Sequence, residues 1–241
     1  MDFTRRLRSI AQSASTSLTV THFDRIGRRQ LAEQLLSHNV SIVFDVGANS
    51  GQFAGALRRE GYGGRIVSFE PLSGPFEQLQ ARAAHDPLWE ARRCALGSDS
   101  GTITINVAGN AGASSSVLPM LETHQDACPP ANYIGTEEVP IARFDEAAPQ
   151  HLRPDDVAFL KIDVQGFEKQ VLAGGGAVLR NACIGLQLEM SIVPLYEGGM
   201  VIQEALNVAD SLGYTLTEIV PAFTDPRDGR ILQVDGTFFR S

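Results

Sequence analysis

The chain of 241 residues is poor in cysteine, in lysine and in long apolar runs. Its three cysteines are widely separated and show neither CxxC nor Cys/His spacing, which argues against a disulfide framework and a structural zinc site. Only two lysines are present and the formal net charge is -8, so no basic stripe for nucleic acid is formed. No apolar run is long enough to span a bilayer. These absences favour a cytoplasmic protein that does not bind nucleic acid.

The first segment, MDFTRRLRSIAQSASTSLTV, has a basic start but no continuous apolar core of signal-peptide length. Phe3, Leu7 and Ile10 would share one face of a helix beside three arginines, a pattern typical of segments that lie on a membrane surface. Packing on the domain or on a second subunit would explain the same residues. We therefore expect residues 1–39 to form an N-terminal helical extension, with peripheral contact to the inner membrane surface as the alternative to packing.

Residues 40–241 alternate buried strands with helices. The apolar run SIVFDVG leads into the helical GQFAGALRRE, and RIVSFEP leads into SGPFEQLQARAA. Further strands are predicted at EARRCALG, VAFLKIDV, CIGLQLEM, YTLTEIV and VDGTFFR, and a hairpin or edge strand at TITINVAG. This order predicts one α/β domain whose parallel sheet is covered by helices on both faces. Residues 109–140 lack regularity and are predicted to be a long loop with at most short helices, of the kind that often binds ligands.

The strand-to-helix turn FDVGANSGQF carries the first sign of a binding site. Gly47 and Gly51 would let the backbone approach a ligand at a helix N-terminus, although glycines are equally common in turns that bind nothing. Asp45 would repel the pyrophosphate of a dinucleotide, and the spacing is GxxxG rather than GxGxxG. The same acid would attract the sulfonium and ammonium groups of S-adenosylmethionine. The turn therefore favours S-adenosylmethionine over NAD as the cofactor.

Further strand ends extend the predicted cofactor site. Glu70 ends the second strand about twenty residues past the loop, where a carboxylate can accept hydrogen bonds from both ribose hydroxyls; capping the next helix is its alternative role. Ala95 and Leu96 would contact adenine or belong to the core. Asp163 ends the fourth strand at the switch point of the sheet and would face the transferable methyl group.

Several motifs in order resemble those of the FkbM-type methyltransferases, a family of class I S-adenosylmethionine-dependent O-methyltransferases: FDVGANSGQFA, SFEP, ALG, VPIARFDE, LKIDVQGFEKQVLAGG and LQLEM. The resemblance covers roughly residues 40–241 and implies a Rossmann-like seven-stranded sheet with a reversed last strand. It also implies a methionine-side loop formed by Asp45, Gly47, Asn49 and Gly51.

The family's substrates imply a small-molecule or glycolipid acceptor, with the hydroxyl on a polyketide or on a sugar. A narrower resemblance is to mycobacterial enzymes that O-methylate deoxysugars of glycolipids. One position departs from the family, because Gln165 stands where the usual DVEG motif has an acid. Gln165 keeps the ability to form hydrogen bonds but lacks the charge, so an acid/base or metal role at this position is in doubt.

Methyl transfer to an alcohol requires in-line alignment and a way to remove the hydroxyl proton. Asp163 and Glu189 end neighbouring predicted strands, and we expect them to flank the acceptor oxygen as general bases or to hold a Mg²⁺ ion jointly. His124, in the irregular segment, is a third catalytic candidate, although a lone loop histidine is more often solvated. An NAD-dependent oxidoreductase and a non-catalytic scaffold with the cofactor fold are the alternative functions.

Overall fold

The computed structural model describes residues 26–240, so the predicted membrane-facing face of the N-terminal segment lies outside the described residues. Residues 26–37 are helical (α1). Leu31 and Leu35 of α1 are buried and belong to one apolar core with Val43 and Phe159 of the main sheet. The described part of the predicted extension is therefore packed on the domain. Among the described helices, none combines the length and apolar character needed to cross a membrane.

The elements that follow alternate between strand and helix for most of the chain. In order they are β1 (Ile42–Val46), α2 (Gln52–Arg59), β2 (Arg65–Phe69), α3 (Ser73–Ala83), β3 (Trp89–Arg92), β4 (Ala95–Gly97), β5 (Gly101–Ala108), α4 (Glu122–Ala127), β6 (Tyr133–Arg143), α5 (Phe144–Ala147), β7 (Ala158–Ile162), α6 (Glu168–Ala173), α7 (Gly176–Asn181), β8 (Cys183–Ser191), α8 (Ile202–Ser211), β9 (Thr215–Thr224) and β10 (Ile231–Phe239). Short 3-10 turns lie at Pro129–Ala131 and Pro149–His151.

The main sheet has seven strands in the order β3-β2-β1-β7-β8-β10-β9. Neighbouring strands from β3 to β8 are parallel, whereas β10 is antiparallel to both β8 and β9. The predicted seven-stranded sheet with a reversed last strand is confirmed. The strand order changes direction between β1 and β7, and open α/β sheets bind ligands outside the carboxyl ends of the strands at such a point.

Both faces of the sheet are buried. Ile42, Phe44 and Val46 of β1 belong to one apolar core, whereas Val43 belongs to the other. Because successive side chains of a strand point to opposite faces, the two cores lie on opposite sides of the sheet. Apolar residues at every position of a parallel strand are what this arrangement requires.

The structure corrects the prediction for residues 89–143 in two ways. EARRCALG is not one strand, because it divides into β3 in the main sheet and β4 in a second, three-stranded sheet of order β4-β6-β5. TITINVAG is the edge strand β5 of this second sheet. The segment predicted to be a long loop with at most short helices does contain the short helix α4, but it also contains the first part of β6, which was not predicted. Pro140 within β6 obscured the strand in the sequence, since proline cannot donate to a ladder and is rare inside strands.

Candidate functional site

A cavity of about 360 Å³ opens at the carboxyl ends of β1, β2, β4 and β7. Six residues predicted to bind the cofactor line it, namely Gly47, Asn49, Glu70, Ala95, Leu96 and Asp163. Four other candidates do not, namely Asp45, Gly51, Glu189 and His124. Helix α1 contributes Gly27, Arg28 and Leu31 to the wall, although sequence analysis assigned this helix no part in the site.

The turn between β1 and α2 is held in its shape by residues with positive φ. Gly47, Asn49 and Gly51 have φ angles of 76°, 46° and 85°. A Cβ on Gly47 would lie 1.8 Å from the backbone oxygen of Asp163, so only glycine lets the ends of β1 and β7 come this close. A Cβ on Gly51 would meet the ring of Trp89 at 2.8 Å, which makes Gly51 a packing residue behind the cavity.

Glu70 joins the turn between β1 and α2 to the end of β2. Its Oε2 accepts a hydrogen bond from the backbone N of Asn49 at 2.8 Å, and its Oε1 accepts one from the backbone N of Leu72, the N-cap residue of α3, at 2.9 Å. Glu70 is 5% exposed, and burial raises the pKa of its carboxyl to about 7 against the opposing effect of these hydrogen bonds. Each oxygen of an ionised carboxylate retains a second lone pair. Glu70 can therefore accept the two backbone hydrogen bonds and, at the same time, hydrogen bonds from a ligand.

Lys161 carries the positive charge at the centre of the site. Its Nζ lies 3.3 Å from Oδ1 of the fully buried Asp45 and 3.4 Å from Oδ2 of Asp163, and it donates to the backbone oxygen of Gly47 at 3.3 Å. Burial lowers the pKa of Lys161, but Asp163, Asp45 and Asp235 outweigh burial and raise it above its ordinary value. Lys161 therefore stays a cation and neutralises the charge of Asp45, so that this charge has little effect in the cavity.

Glu168 lies in the first turn of α6 and holds the loop before that helix. Glu168 Oε1 accepts hydrogen bonds from the backbone N of Val164 and of Gly166, each at 3.1 Å, so it caps the loop that precedes α6. Burial raises the pKa of Glu168 to about 7. The partner of Lys161 follows from the sheet register, because Asp45 and Lys161 are directly paired across β1 and β7.

Gln165 lies between the two carboxylates that were predicted to flank the acceptor oxygen. Its side-chain Nε2 donates to Asp163 Oδ1 at 2.9 Å and to Glu189 Oε2 at 2.7 Å. Its Oε1 accepts from the hydroxyl of Tyr196 at 2.6 Å. Asp163 faces the cavity, whereas Glu189 lies behind Gln165 and outside the cavity wall.

These acids are not arranged as ligands of a metal ion. Residues 26–240 hold no group of three or more His, Cys, Asp or Glu side chains that could bind one. A cation between Asp163 and Glu189 would meet the N–H groups of Gln165, which repel it. Burial raises the pKa of Glu189 well above its ordinary value, and Asp163 raises it further. The predicted Mg²⁺ site at Asp163 and Glu189 therefore does not fit these side chains.

His124 lies in α4, apart from the cavity. It is 2% exposed, and its ring centroid is 5.2 Å from that of Tyr196 and 5.0 Å from that of Phe223. Burial lowers its pKa to about 4, which keeps the ring neutral at physiological pH. The residue is thus neither a solvated loop histidine nor part of the cavity wall, because the segment that carries it folds into a small apolar core of its own.

The family comparison agrees with this geometry. The chain matches the methyltransferase FkbM domain over residues 45–216, which is more than half of its length. A search of curated proteins gives no significant match.

Solved structures with a similar fold include three methyltransferases. The methyltransferase domain of bacterial CtHen1 is 11% identical, with 90% of this chain and 99% of that chain covered and a TM-score of 0.49. The magnesium protoporphyrin IX methyltransferase ChlM from Synechocystis PCC 6803, with bound SAM, is 10% identical, with coverage of 91% and 81% and a TM-score of 0.49. The precorrin-6y C5,15-methyltransferase from Geobacter metallireducens GS-15 is 11% identical, with coverage of 88% of each chain and a TM-score of 0.45.

The strand order and the family match together favour a methyltransferase over the NAD-dependent alternative. The chain belongs to the FkbM methyltransferase family and is an S-adenosylmethionine-dependent methyltransferase with the class I fold.

Proposed function

We propose that the protein transfers the methyl group of S-adenosylmethionine to an alcohol, on a sugar of a glycolipid such as a deoxyhexose or on a polyketide. The observation that carries the proposal is the Asp163 carboxylate, which faces the cavity with Lys161 at one oxygen and Gln165 at the other. A hydroxyl is a poor nucleophile until its proton is removed, and a fixed carboxylate at the reacting position can accept that proton.

The residues of the cavity suit S-adenosylmethionine. Glu70 offers one remaining lone pair on each oxygen to the two ribose hydroxyls, and Ala95 and Leu96 offer apolar contact to adenine. The turn at Gly47 and Asn49 would hold the methionine part. When bound, the cofactor supplies an activated methyl group on a sulfonium. The acids that line the cavity, Glu70, Asp163 and Asp235, would suit this positive charge, while Asp45 pairs with Lys161.

The remaining wall suits a hydroxylated acceptor. Ser115, Ser116 and Gln187 are uncharged groups that line the cavity near Asp163. Hydroxyl and amide groups both donate and accept hydrogen bonds, as sugar hydroxyls do. A wall with these groups and the acids Asp163 and Asp235 favours a neutral alcohol over an anionic acceptor, which the carboxylates would repel.

The test is a methyl-transfer assay with matched acceptors. The protein is incubated with S-adenosylmethionine and with alcohol, amine, thiol or carboxylate acceptors of similar size, including a deoxyhexose glycolipid and a polyketide alcohol. Mass spectrometry should detect a methyl ether, formed with one equivalent of S-adenosylhomocysteine, from an alcohol acceptor only. Methylation of nitrogen, sulfur or carboxylate acceptors without any ether would refute the proposal.

A further inference from the structure

The orientation of the Gln165 amide is set by its three partners. Carboxylates accept hydrogen bonds but cannot donate when ionised, so the NH₂ group must face Asp163 and Glu189. The opposite orientation would place Oε1 against two carboxylates and leave the Tyr196 hydroxyl facing N–H groups. The Tyr196 hydroxyl, 2.6 Å from Oε1, therefore fixes which end of the amide points at the acids.

The backbone holds Gln165 in this place at a conformational cost. Gln165 has a φ of 56°, which is uncommon for a residue other than glycine. Its backbone oxygen accepts a hydrogen bond from Ser116 Oγ at 2.6 Å. A Cβ on Gly166 would lie 2.9 Å from the Cβ of Tyr196, so the turn packs directly on Tyr196. Strained residues of this kind persist where the surroundings hold them, and they cluster at functional sites.

The amide also has the electrostatic character that the position demands. Asp163 and Glu189 both approach it within hydrogen-bond distance, and when both are ionised they repel each other unless something positive lies between them, which is why Asp163 raises the pKa of Glu189. Divalent cations serve this purpose in many sites with oxygen ligands. In this chain two N–H dipoles lie there, and Gln165 is only 8% exposed, so water does not replace them.

We infer that the side-chain amide of Gln165 takes the place of a divalent cation between Asp163 and Glu189, and that it positions Asp163 for methyl transfer without a metal. This role rests on the proposed function only in naming Asp163 as the base. Gln165 is a positioning residue, because it acts on the acceptor through Asp163. An acid at this position would make three converging carboxylates, a set of hard oxygen ligands suited to Mg²⁺ or Mn²⁺.

The test compares wild-type protein with Gln165→Glu and with a matched control, Gln233→Glu. Gln233 is also buried and donates to the same Glu189 oxygen at 2.8 Å, but its second partner is Ser191 rather than Asp163. The two variants add the same charge beside Glu189, and only Gln165→Glu adds it between the two carboxylates. Mn²⁺ binding is measured by electron paramagnetic resonance, and S-adenosylmethionine binding is measured by calorimetry.

We expect Gln165→Glu to bind one Mn²⁺, whereas wild type and Gln233→Glu bind none. With chelator, kcat of Gln165→Glu should fall roughly tenfold to a hundredfold, the loss expected for a charge-assisted hydrogen bond, and Mn²⁺ or Mg²⁺ should restore it. Affinity for S-adenosylmethionine should not change. Wild-type kcat should be insensitive to chelator, and Gln165→Leu should lose kcat that no metal restores.

Mn²⁺ binding by wild-type protein, loss of wild-type activity with chelator, or folded Gln165→Glu that binds no Mn²⁺ would each overturn the inference. The wild-type measurements decide the matter even when Gln165→Glu fails to fold. The Mn²⁺ and S-adenosylmethionine titrations need no acceptor. Failure of the proposed alcohol methylation would therefore appear in the product assay alone, while these titrations still test the role of Gln165.

Discussion

The ionisation of Glu70 should control cofactor affinity near neutral pH. Burial raises the pKa of this carboxyl to about 7, and its oxygens already accept the backbone N–H groups of Asn49 and Leu72. The ionised form can also accept from both ribose hydroxyls. The protonated form gives one acceptor position to its own proton and loses one of these hydrogen bonds. Affinity for S-adenosylmethionine should therefore rise with pH through about pH 7.

The magnitude follows from the pKa. With a pKa of about 7, the ionised fraction of Glu70 falls about tenfold between pH 8 and pH 6, so the Kd of S-adenosylmethionine should rise by about tenfold, or about 1.4 kcal/mol. Stability should change in the opposite direction. The folded pKa lies above the ordinary value of 4.5, so the contribution of Glu70 to stability is complete below that value and is lost as pH rises through about 7. The loss is at most roughly 3 kcal/mol.

The assay is calorimetric titration of wild type, Glu70→Gln and Glu218→Gln with S-adenosylmethionine at pH 6, 7 and 8. Glu218 is the control because burial also raises its pKa to about 7, while it lies beside Gln34 of α1 and outside the cavity. Glu70→Gln should weaken binding at least about tenfold at pH 8 and remove most of the pH dependence, since charge-assisted hydrogen bonds are lost. Glu218→Gln should keep the wild-type affinity and slope. Wild-type behaviour in Glu70→Gln would remove the ribose assignment.

Three further substitutions test the rest of the site. Asp163→Asn should lower kcat by roughly 10²- to 10⁴-fold, as single-turnover kinetics at saturating S-adenosylmethionine would show, and a normal kcat would exclude Asp163 as the base. Lys161→Met should lower the free energy of unfolding by roughly 3–5 kcal/mol at pH 7, because it leaves Asp45 buried without its cation. Urea denaturation should show a smaller loss as the pH is lowered, since burial raises the pKa of Asp45 and a protonated carboxyl needs no cation; a loss independent of pH would contradict this. His124→Phe should leave kcat unchanged, and a large decrease would return His124 to the catalytic candidates.

The main sheet was predictable because each strand can be recognised from a few consecutive residues. IVFDV and AFLKI are buried at every position, and each is followed by a turn and a helix. The reversed direction of β10 came from the family resemblance, since apolar periodicity carries no information on strand direction. The second sheet escaped prediction for a related reason. Strand β4 has only three residues, and its partner on β6, where Ala95 pairs with Ile141, lies far along the chain.

Strand ends also predicted which side chains meet at one edge of the sheet, but not which of them touch. Asp163 follows β7 and Glu189 lies near the end of the neighbouring strand β8, as expected. The group between them comes from a loop, and its direction depends on the backbone conformation of Gln165, for which no periodic pattern exists. The sequence did mark the place, because Gln165 is where this chain departs from the family motif.

The charge argument at Asp45 shows how register changes a conclusion drawn from strand ends. Asp45 was expected to favour a sulfonium over a pyrophosphate by its own charge. Register pairs it with Lys161, so the two charges largely cancel at the cavity wall. The negative charge at the cavity wall then belongs to Asp163, which shares Lys161 with Asp45, to Asp235, and to Glu70 when ionised. The preference for a cationic cofactor thus survives, but it resides on the acids that line the cavity and should fall when Asp163 or Glu70 is neutralised.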